Sequence, residues 1–167
     1  MIKAKGGDIM QLMIKQRAFT LTDNYYVYDE TGEVRYEVED EFLRLGHQIH
    51  VYDKRSGREV GSIHQQLFTF TPQFEIVVNG RVQGTIYKEF TFFTPRYQVD
   101  YRGWDVEGDL MGWDYRVMQR SREVMSIFKE PFNWTDTYIL RYSDPADEIP
   151  GLLLVIAIDA VNCSKNK

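Results

Sequence analysis

The sequence predicts a mainly β protein: a closed antiparallel β-barrel of repeated hairpins around a buried C-terminal hydrophobic helix. Three observations lead to this prediction. They are an internal repeat, an alternation of apolar and polar residues along the flanking runs, and one apolar segment near the C-terminus that breaks the alternation. The composition agrees, because aromatic residues make up 14% of the chain and such side chains suit half-buried pleated surfaces.

The internal repeat is the strongest feature of the sequence. Three stretches align without a gap, and they share an initial isoleucine, a central aromatic residue followed by threonine, and an aliphatic last residue: Ile63 to Ile76, Ile86 to Val99 and Ile127 to Leu140. A fourth stretch, Val38 to Val51, fits more loosely. A repeated unit of this kind indicates one supersecondary structure used several times.

Turn signals separate the repeated stretches. Asn79-Gly80 is the strongest of them, because a type I′ hairpin turn requires positive φ at both central residues. Segments 27–32 and 51–57 each place an aspartate ahead of a glycine. We therefore expect hairpins throughout, with neighbouring strands antiparallel.

The flanking runs alternate with a period of two residues. Val34, Tyr36 and Val38 point to one face, and the charged residues between them point to the other. About ten strands, each with one apolar face, indicate an antiparallel sheet that is exposed to solvent on one side. A sheet of that many twisted strands curls, and closure into a barrel removes its exposed edges.

The segment from Leu152 to Val161 does not alternate. It is apolar on all sides, which a helix tolerates only where it is buried all round, and acidic residues before it suit a helix N-terminus. Its β-branched content would also permit a buried strand, but a barrel with large inward residues still needs its axis filled. We expect a tail at residues 1–10, one domain at 11–167, and the central helix at about 150–162.

Bulk properties exclude several classes of function. The net charge is -5, which disfavours nucleic-acid binding because phosphate neutralisation supplies most of that affinity. Cys163 is the only cysteine, as is common in a reducing compartment, so we expect a cytoplasmic protein, with contact to a membrane periphery left open. The apolar run is far shorter than the about 20 residues of a membrane span.

The residues then resemble a known family. The stretches 13–19 and 23–29, Asp136-Thr137-Tyr138, and Leu152 to Asp159 occur in an order and spacing similar to those of the LURP-one-related proteins, which are grouped with the tubby C-terminal domain and the phospholipid scramblases. The resemblance covers nearly the whole chain after the first ten or so residues, and no single motif in it is sharp. It implies a barrel of about twelve strands around a central hydrophobic helix, Pro150 to about Asn162. No motif in this chain matches the tubby lipid-binding site residue by residue.

Basic residues provide the only candidate binding site. Lys15 and Arg17 share one strand face, and Lys54, Arg55 and Arg58 crowd one hairpin tip. Such groups attract phosphate headgroups near an anionic membrane, although charged turns also serve to keep hairpin tips hydrated. We predict a non-enzymatic binding or scaffold module for an anionic headgroup, a membrane surface or a protein partner.

Metal and catalytic sites receive little support from the sequence. Pairing of Asp53 with Arg58 would put His47 opposite His64, but a zinc site needs at least one further ligand, so we predict no metal and no cofactor. The rival hypothesis is an enzyme with a pocket at a barrel mouth, assembled from residues such as His47, His64, Asp105 and Asp114. Asp159, at the end of the apolar segment, is expected to be a structural latch, with an acid catalyst as the alternative.

Overall fold

The computed structural model describes residues 9–15, 24–43, 46–89, 96–109, 112, 114–130 and 137–163. Within these residues there are strands, one short 3-10 turn (Pro145–Asp147) and one α-helix, α1 (Glu148–Cys163). The strands are β1 (Met10–Lys15), β2 (Tyr25–Asp29), β3 (Val34–Leu43), β4 (Gly46–Asp53), β5 (Glu59–Gln65), β6 (Gln73–Val78), β7 (Arg81–Glu89), β8 (Arg96–Tyr101), β9 (Trp104–Asp109), β10 (Asp114–Gln119), β11 (Arg122–Lys129) and β12 (Thr137–Tyr142).

All these strands belong to one antiparallel sheet. Its order is β8-β7-β6-β5-β4-β3-β2-β1-β12-β11-β10-β9. The first and last strands of the chain therefore pair with each other, with Met10 opposite Tyr142 and Lys15 opposite Thr137. The two ends of the sheet, β8 and β9, are joined by a two-residue turn, so the barrel is nearly closed. The predicted fold class is confirmed.

The repeated stretches of the sequence are hairpin units of the barrel. The first runs from the end of β5 into β6, the second from the end of β7 into β8, and the third from the end of β11 into β12. In each the isoleucine at the first position is buried. Ile63 pairs with Ile76, and Ile127 pairs with Leu140. The repeat is thus a repeat of packing at its first position, where Ile63, Ile86 and Ile127 are all buried. Its central aromatic position differs, because Phe70 is exposed, and Phe93 and Trp134 lie outside the described residues.

The apolar C-terminal segment is the helix inside the barrel, and the strand alternative is excluded. Residues 151–158 of α1 are buried without interruption, so the helix is wrapped by strands on all sides over two turns. The helix begins two residues before the predicted start. Pro150 lies in its first turn, where the missing N–H would have no partner in any helix.

The helix is packed unevenly within the barrel. It lies closest to β5, β6 and β7, and Gly61 of β5 leaves the space for this approach, since a Cβ there would come within 2.6 Å of Leu153 Cδ1. On strands farther from the helix, the interior is filled by Tyr36, Trp104 and Tyr115, which are among the largest fully buried side chains. Gly61 thus permits the close approach of the helix to β5, while large aromatic side chains fill the interior on the distant strands.

The barrel has two distinct ends. The lower end carries the turns at 30–33, 54–58, 79–80, 102–103 and 120–121, together with the start of α1. The upper end carries the other termini of the strands, including Lys15 and Gln65, and the C-terminus of α1 at Cys163. These names are used below, because the candidate site lies at the lower end.

The register shifts at four places among the described strand pairs, and two of these β-bulges lie near the sites described below. In the β2–β3 pair, Val27 is opposite Tyr36 but Tyr28 is opposite Val34, so Arg35 is the extra residue. In the β4–β5 pair, Val60 is extra, because Val51 is opposite Gly61 and Tyr52 is opposite Glu59. A bulge turns the extra side chain and shifts every pairing beyond it, and both effects matter at the sites described next.

Candidate functional site

A cavity of about 580 Å³ opens at the lower end of the barrel, beside the start of α1. Its walls come from the β4–β5, β6–β7 and β8–β9 turns and from the segment that leads into the helix. The lining combines two arginines, two carboxylates, two side-chain amides, a tyrosine and an apolar wall: Arg58, Arg102, Asp53, Glu59, Asn79, Gln83, Tyr101, Val60, Val78, Ile149 and Pro150 are among the residues.

The two arginines of the cavity differ in how they are held. Arg102 lies in the β8–β9 turn with a φ of 55°. Its guanidinium lies 5.0 Å from the centroid of the Trp104 ring and 3.4 Å, through Nη2, from Asp147 Oδ1. Arg58 is exposed, and its backbone N–H donates to Ser56 Oγ. Within the described residues its guanidinium has no ion pair, so it is the cation of this cavity that is available to a ligand.

Asp53 and Asp147 bring negative charge to the same end of the barrel. Backbone hydrogen bonding from Ser56 is the main effect that lowers the pKa of Asp53, and Arg35 adds to it, with Nη1 3.7 Å from Asp53 Oδ2. Burial raises the pKa of Asp147, and Arg102 partly opposes that change. Both carboxylates are thus tied to protein partners, which reduces the repulsion they exert on an anion in the cavity.

The helix is anchored at this end by Glu148. Its carboxylate accepts hydrogen bonds from the hydroxyls of Tyr36 at 2.5 Å and Tyr142 at 2.6 Å, and from Arg35 Nε at 3.3 Å. Burial raises the pKa values of Tyr36 and Tyr142, and the hydrogen bond to Glu148 raises them further. This Glu148 latch joins β3, β12 and α1.

The latch depends on the bulge in β3. Without an extra residue, strand alternation would point Arg35 away from Tyr36, to the outer face. The bulge turns the Arg35 side chain towards Glu148 and Asp53, which lie on the inner side at the lower end. Sequence reasoning missed this arrangement, because alternation of residues gives no sign of where a strand carries an additional one.

The predicted basic set is divided by the structure. Lys15 and Lys54 lie on one outer face with two tyrosines between them, Lys15 Nζ 4.4 Å from the Tyr28 ring centroid and Lys54 Nζ 5.4 Å from that of Tyr26. Lys54 also pairs with Glu37 at 2.5 Å.

The arginines of that set lie elsewhere. Arg55 is near Asp29, whose pKa is lowered chiefly by its hydrogen bond from Thr31 and also by the Arg55 charge. Arg58 lines the cavity on the other side of the same hairpin. Arg17 lies outside the described residues. Sequence reasoning did not include Arg102, because the sequence does not show that the β8–β9 turn forms part of the cavity wall.

The histidine pairing expected from the sequence is wrong. The turn does close with the Asp53 N–H donating to the Arg58 carbonyl, but the bulge at Val60 shifts the register, so Gln48 rather than His47 is opposite His64.

The two histidines consequently lie on different faces of the sheet. Inside the upper end, His47 Nδ1 is 3.3 Å from Asp40 Oδ1, and burial raises the pKa of Asp40 in spite of that contact. On the outer face, His64 Nε2 lies 3.0 Å from Ser62 Oγ. Among the described residues, no group of three or more histidine, cysteine, aspartate or glutamate side chains has the geometry to hold a metal ion.

The residues proposed for an enzymatic pocket do not converge. Asp105 and Asp114 are both exposed and stand at different heights on the β9–β10 hairpin, where Asp105 is opposite Met118 and Asp114 is opposite Asp109. Neither joins His47 or His64. The rival hypothesis therefore loses the particular residues on which it was built.

Asp159 lies near the upper end of the helix and is half-buried. Its charge contributes to raising the pKa of the buried Tyr115, an effect for which burial is the main cause. This contact with a core residue agrees with a structural role for Asp159, which stays a prediction.

The fold defines the class of protein: a nearly closed antiparallel β-barrel threaded by a hydrophobic C-terminal helix. The LURP-one-related family model matches residues 10–159, and the chain belongs to that family. It is similar to the uncharacterized protein YxjI of Bacillus subtilis (strain 168), with 28% identity over 153 residues, which is 92% of this chain and 94% of YxjI.

Comparison with solved structures shows the same fold. The X-ray structure of a protein from Arabidopsis thaliana matches with a TM-score of 0.61 and 15% identity, covering 90% of each chain. No helix among the described residues has both the length and the apolar character that crossing a bilayer requires.

Proposed function

We propose that the protein is a non-enzymatic binding module that holds a phosphate-bearing lipid headgroup in the lower-end cavity. The observation that carries the proposal is the chemistry of that cavity, which is open, has a volume of about 580 Å³, and combines Arg58 and Arg102 with an apolar wall. Small-ligand sites are commonly concave and largely apolar, with a few polar groups that fix orientation.

Each part of the cavity suits a part of such a ligand. A guanidinium group binds phosphate oxygens in a bidentate manner, and Arg58 has its guanidinium available for this. Asn79 and Gln83 can donate to hydroxyl or phosphate oxygens. Val60, Val78 and Ile149 form the apolar wall, which suits the glycerol backbone and the first carbons of the acyl chains.

The surroundings of the cavity would face the membrane surface in this arrangement. Lys54 and Arg55 lie on the same hairpin as Arg58, and basic residues near an anionic leaflet contribute about 1 kcal/mol each. Lys54 is partly neutralised by Glu37, so we assign the main contribution to the cavity and a smaller one to the hairpin tip. The single cysteine supports a cytoplasmic location, with the protein peripheral to the membrane.

Co-sedimentation with vesicles tests the proposal. The vesicles are phosphatidylcholine alone, or phosphatidylcholine mixed with phosphatidylserine or with a phosphatidylinositol phosphate, at low and high salt. We expect binding to the anionic vesicles and none to phosphatidylcholine. Arg58→Gln combined with Arg102→Gln should weaken binding about tenfold or more, because the available guanidinium of Arg58 and the positive charge of Arg102 beside it are both lost.

A matched control removes the same charge elsewhere. Arg116→Gln combined with Lys129→Gln changes two exposed residues, one on β10 and one at the upper end of β11, and it should leave vesicle binding within about twofold, since distant surface charges are screened by salt. Equal loss in both double variants would indicate attraction by net charge alone. No binding to any anionic vesicle would refute the proposal.

A further inference from the structure

The barrel has one interruption in its ladder of strands. β8 and β9 are at the two ends of the sheet order, although they are consecutive and joined only by Arg102 and Gly103. Within the described part of the chain no strand pairing connects them. Each therefore presents an edge with backbone N–H and C=O groups, and such an edge is a template for an added strand.

Burial of the inward residues along this seam decreases away from the turn. Next to the turn, Tyr101 and Trp104 are only 3% and 2% exposed, and their rings meet edge to face at 5.5 Å. The next inward residues, Val99 and Val106, are only partly buried, whereas the inward isoleucines and valines of other strands are almost fully buried. Among the described residues, the gap is thus filled at the lower end and less filled, here called open, towards the upper end.

The inward side of the open part is poorly filled. On β9 the residue after Val106 with the same orientation is Gly108, which has a φ of 121° and no side chain to offer. Among the described residues, Val99 and Val106 are therefore left partly exposed on this part of the seam. An apolar side chain of an added strand would cover both of them.

The outward side of the seam carries a regular row of carboxylates. Asp105, Glu107 and Asp109 alternate along β9, and all three are exposed. Asp100 of β8 is exposed on the other side of the gap. Residues at alternate positions of a strand share one face and lie opposite the residues of a paired strand at a Cβ separation of about 5 Å.

A second copy of this chain is a poor occupant for this edge. Pairing two β9 edges would bring two rows of carboxylates together, and like charges directly opposite each other destabilise a strand pair. Acidic residues on an edge thus protect the protein from association with itself. The same row would stabilise pairing with a strand of opposite charge.

We propose that the β9 edge, at the open part of the β8–β9 seam, docks an extended basic segment of a protein partner. The segment has lysine or arginine at alternate positions, opposite Asp105 and Glu107, and aliphatic residues between them that cover Val99 and Val106. Backbone hydrogen bonds to the edge provide affinity, and the alternation provides specificity. β9 has six residues, which sets the length of the segment.

This partner site is separate from the lower-end cavity. Tyr101 and Arg102 line the cavity at the closed end of the seam, and the segment would enter from the open, upper end. The two sites can therefore be occupied together, and each can be tested without the other.

A labelled peptide of alternating lysine and valine, about six residues long to match β9, is the probe, and fluorescence anisotropy measures its binding at low salt. We expect saturable binding to the wild-type protein. Asp105→Asn combined with Glu107→Gln should weaken it about fivefold or more, since two cross-strand charge pairs are lost. Glu30→Gln combined with Glu123→Gln, two exposed acids elsewhere, is the control and should bind as the wild type does.

A second peptide separates strand addition from simple charge attraction. It has the same sequence with alternate backbone nitrogens methylated, which keeps the charge and removes the main-chain donors. We expect it to bind much more weakly. Equal binding of the two peptides, an equal effect of the two double variants, or absence of saturable binding to the wild-type protein would each overturn the proposal.

Discussion

Replacing Glu148 offers the sharpest test of how the helix is held in the barrel. The carboxylate is 17% exposed and accepts two tyrosine hydroxyl bonds of 2.5 and 2.6 Å, from Tyr36 and Tyr142. Hydrogen bonds to a charged group contribute about 1.5–3 kcal/mol each. The pair with Arg35 is partly exposed and contributes about 1 kcal/mol or less, and a similar amount comes from a negative charge at the first turn of a helix.

From these contributions we expect Glu148→Ala to lower the free energy of unfolding by about 4 kcal/mol, because it leaves both hydroxyls without their acceptor. Glu148→Gln keeps one oxygen acceptor and should cost about 2 kcal/mol. With a urea dependence of about 2 kcal/mol per molar, the alanine variant shifts the unfolding midpoint by about 2 M. Equilibrium urea unfolding followed by tryptophan fluorescence measures this shift.

A double-mutant cycle assigns the loss to the latch. Tyr36→Phe in the Glu148→Gln background should cost about 1 kcal/mol less than in the wild type, since the hydrogen bond is already weakened. Glu123→Gln, an exposed carboxylate of β11, serves as the control and should stay within about 0.5 kcal/mol of the wild type. A Glu148→Ala variant as stable as this control, or a coupling energy of zero, would refute the latch.

Two further outcomes follow from the packing and from the buried tyrosines. Gly61→Ala should destabilise the protein by about 1–3 kcal/mol through overpacking, because the new Cβ would meet Leu153 Cδ1 at 2.6 Å. Leu153→Ala should then be less destabilising in the Gly61→Ala background than alone. Independent effects of the two substitutions in thermal unfolding would contradict this. Burial raises the pKa of Tyr101 to about 12, so its contribution to stability is complete below pH 10 and is lost between pH 10 and 12. Tyr101→Phe should accordingly reduce the alkaline loss of stability by about 3 kcal/mol, and identical alkaline curves for variant and wild type would show that Tyr101 is not shifted.

The architecture could be predicted because its signals are local or periodic. The three repeated stretches between Ile63 and Leu140 share an isoleucine that packs in the same way in each. The turn at Asn79-Gly80 follows from the positive φ values that those two residues adopt, 52° and 69°. The helix could be preferred over a buried strand because the segment is apolar on every side, acidic residues precede it, and the barrel axis had to be filled. The error in its start was two residues, at Glu148.

The details of the site could not be predicted, because they depend on irregularities in the register. Nothing in the alternation marks Val60 or Arg35 as an extra residue, yet the first changes the neighbour of His64 and the second brings a guanidinium to Glu148. The cavity also combines turns that are far apart in sequence, so Arg58 could be proposed from its hairpin while Arg102 could not.

The position of the helix after the strands in the chain has a consequence for biosynthesis. Translation delivers all twelve strands before the segment that fills their interior, at about 5–20 residues per second. During that interval Ile63, Phe74 and Ile76 have no helix to pack against. The closing pair, β1 with β12, is also among the last to become available, so compaction depends on contacts that are distant in sequence.

A nascent chain halted just before Glu148 would therefore carry a complete set of hairpins with an unfilled interior. Such a species exposes apolar faces and unpaired edges, which are the surfaces that chaperones recognise and through which chains aggregate. The interior of the barrel is thus filled only when α1, with its sixteen residues, has emerged.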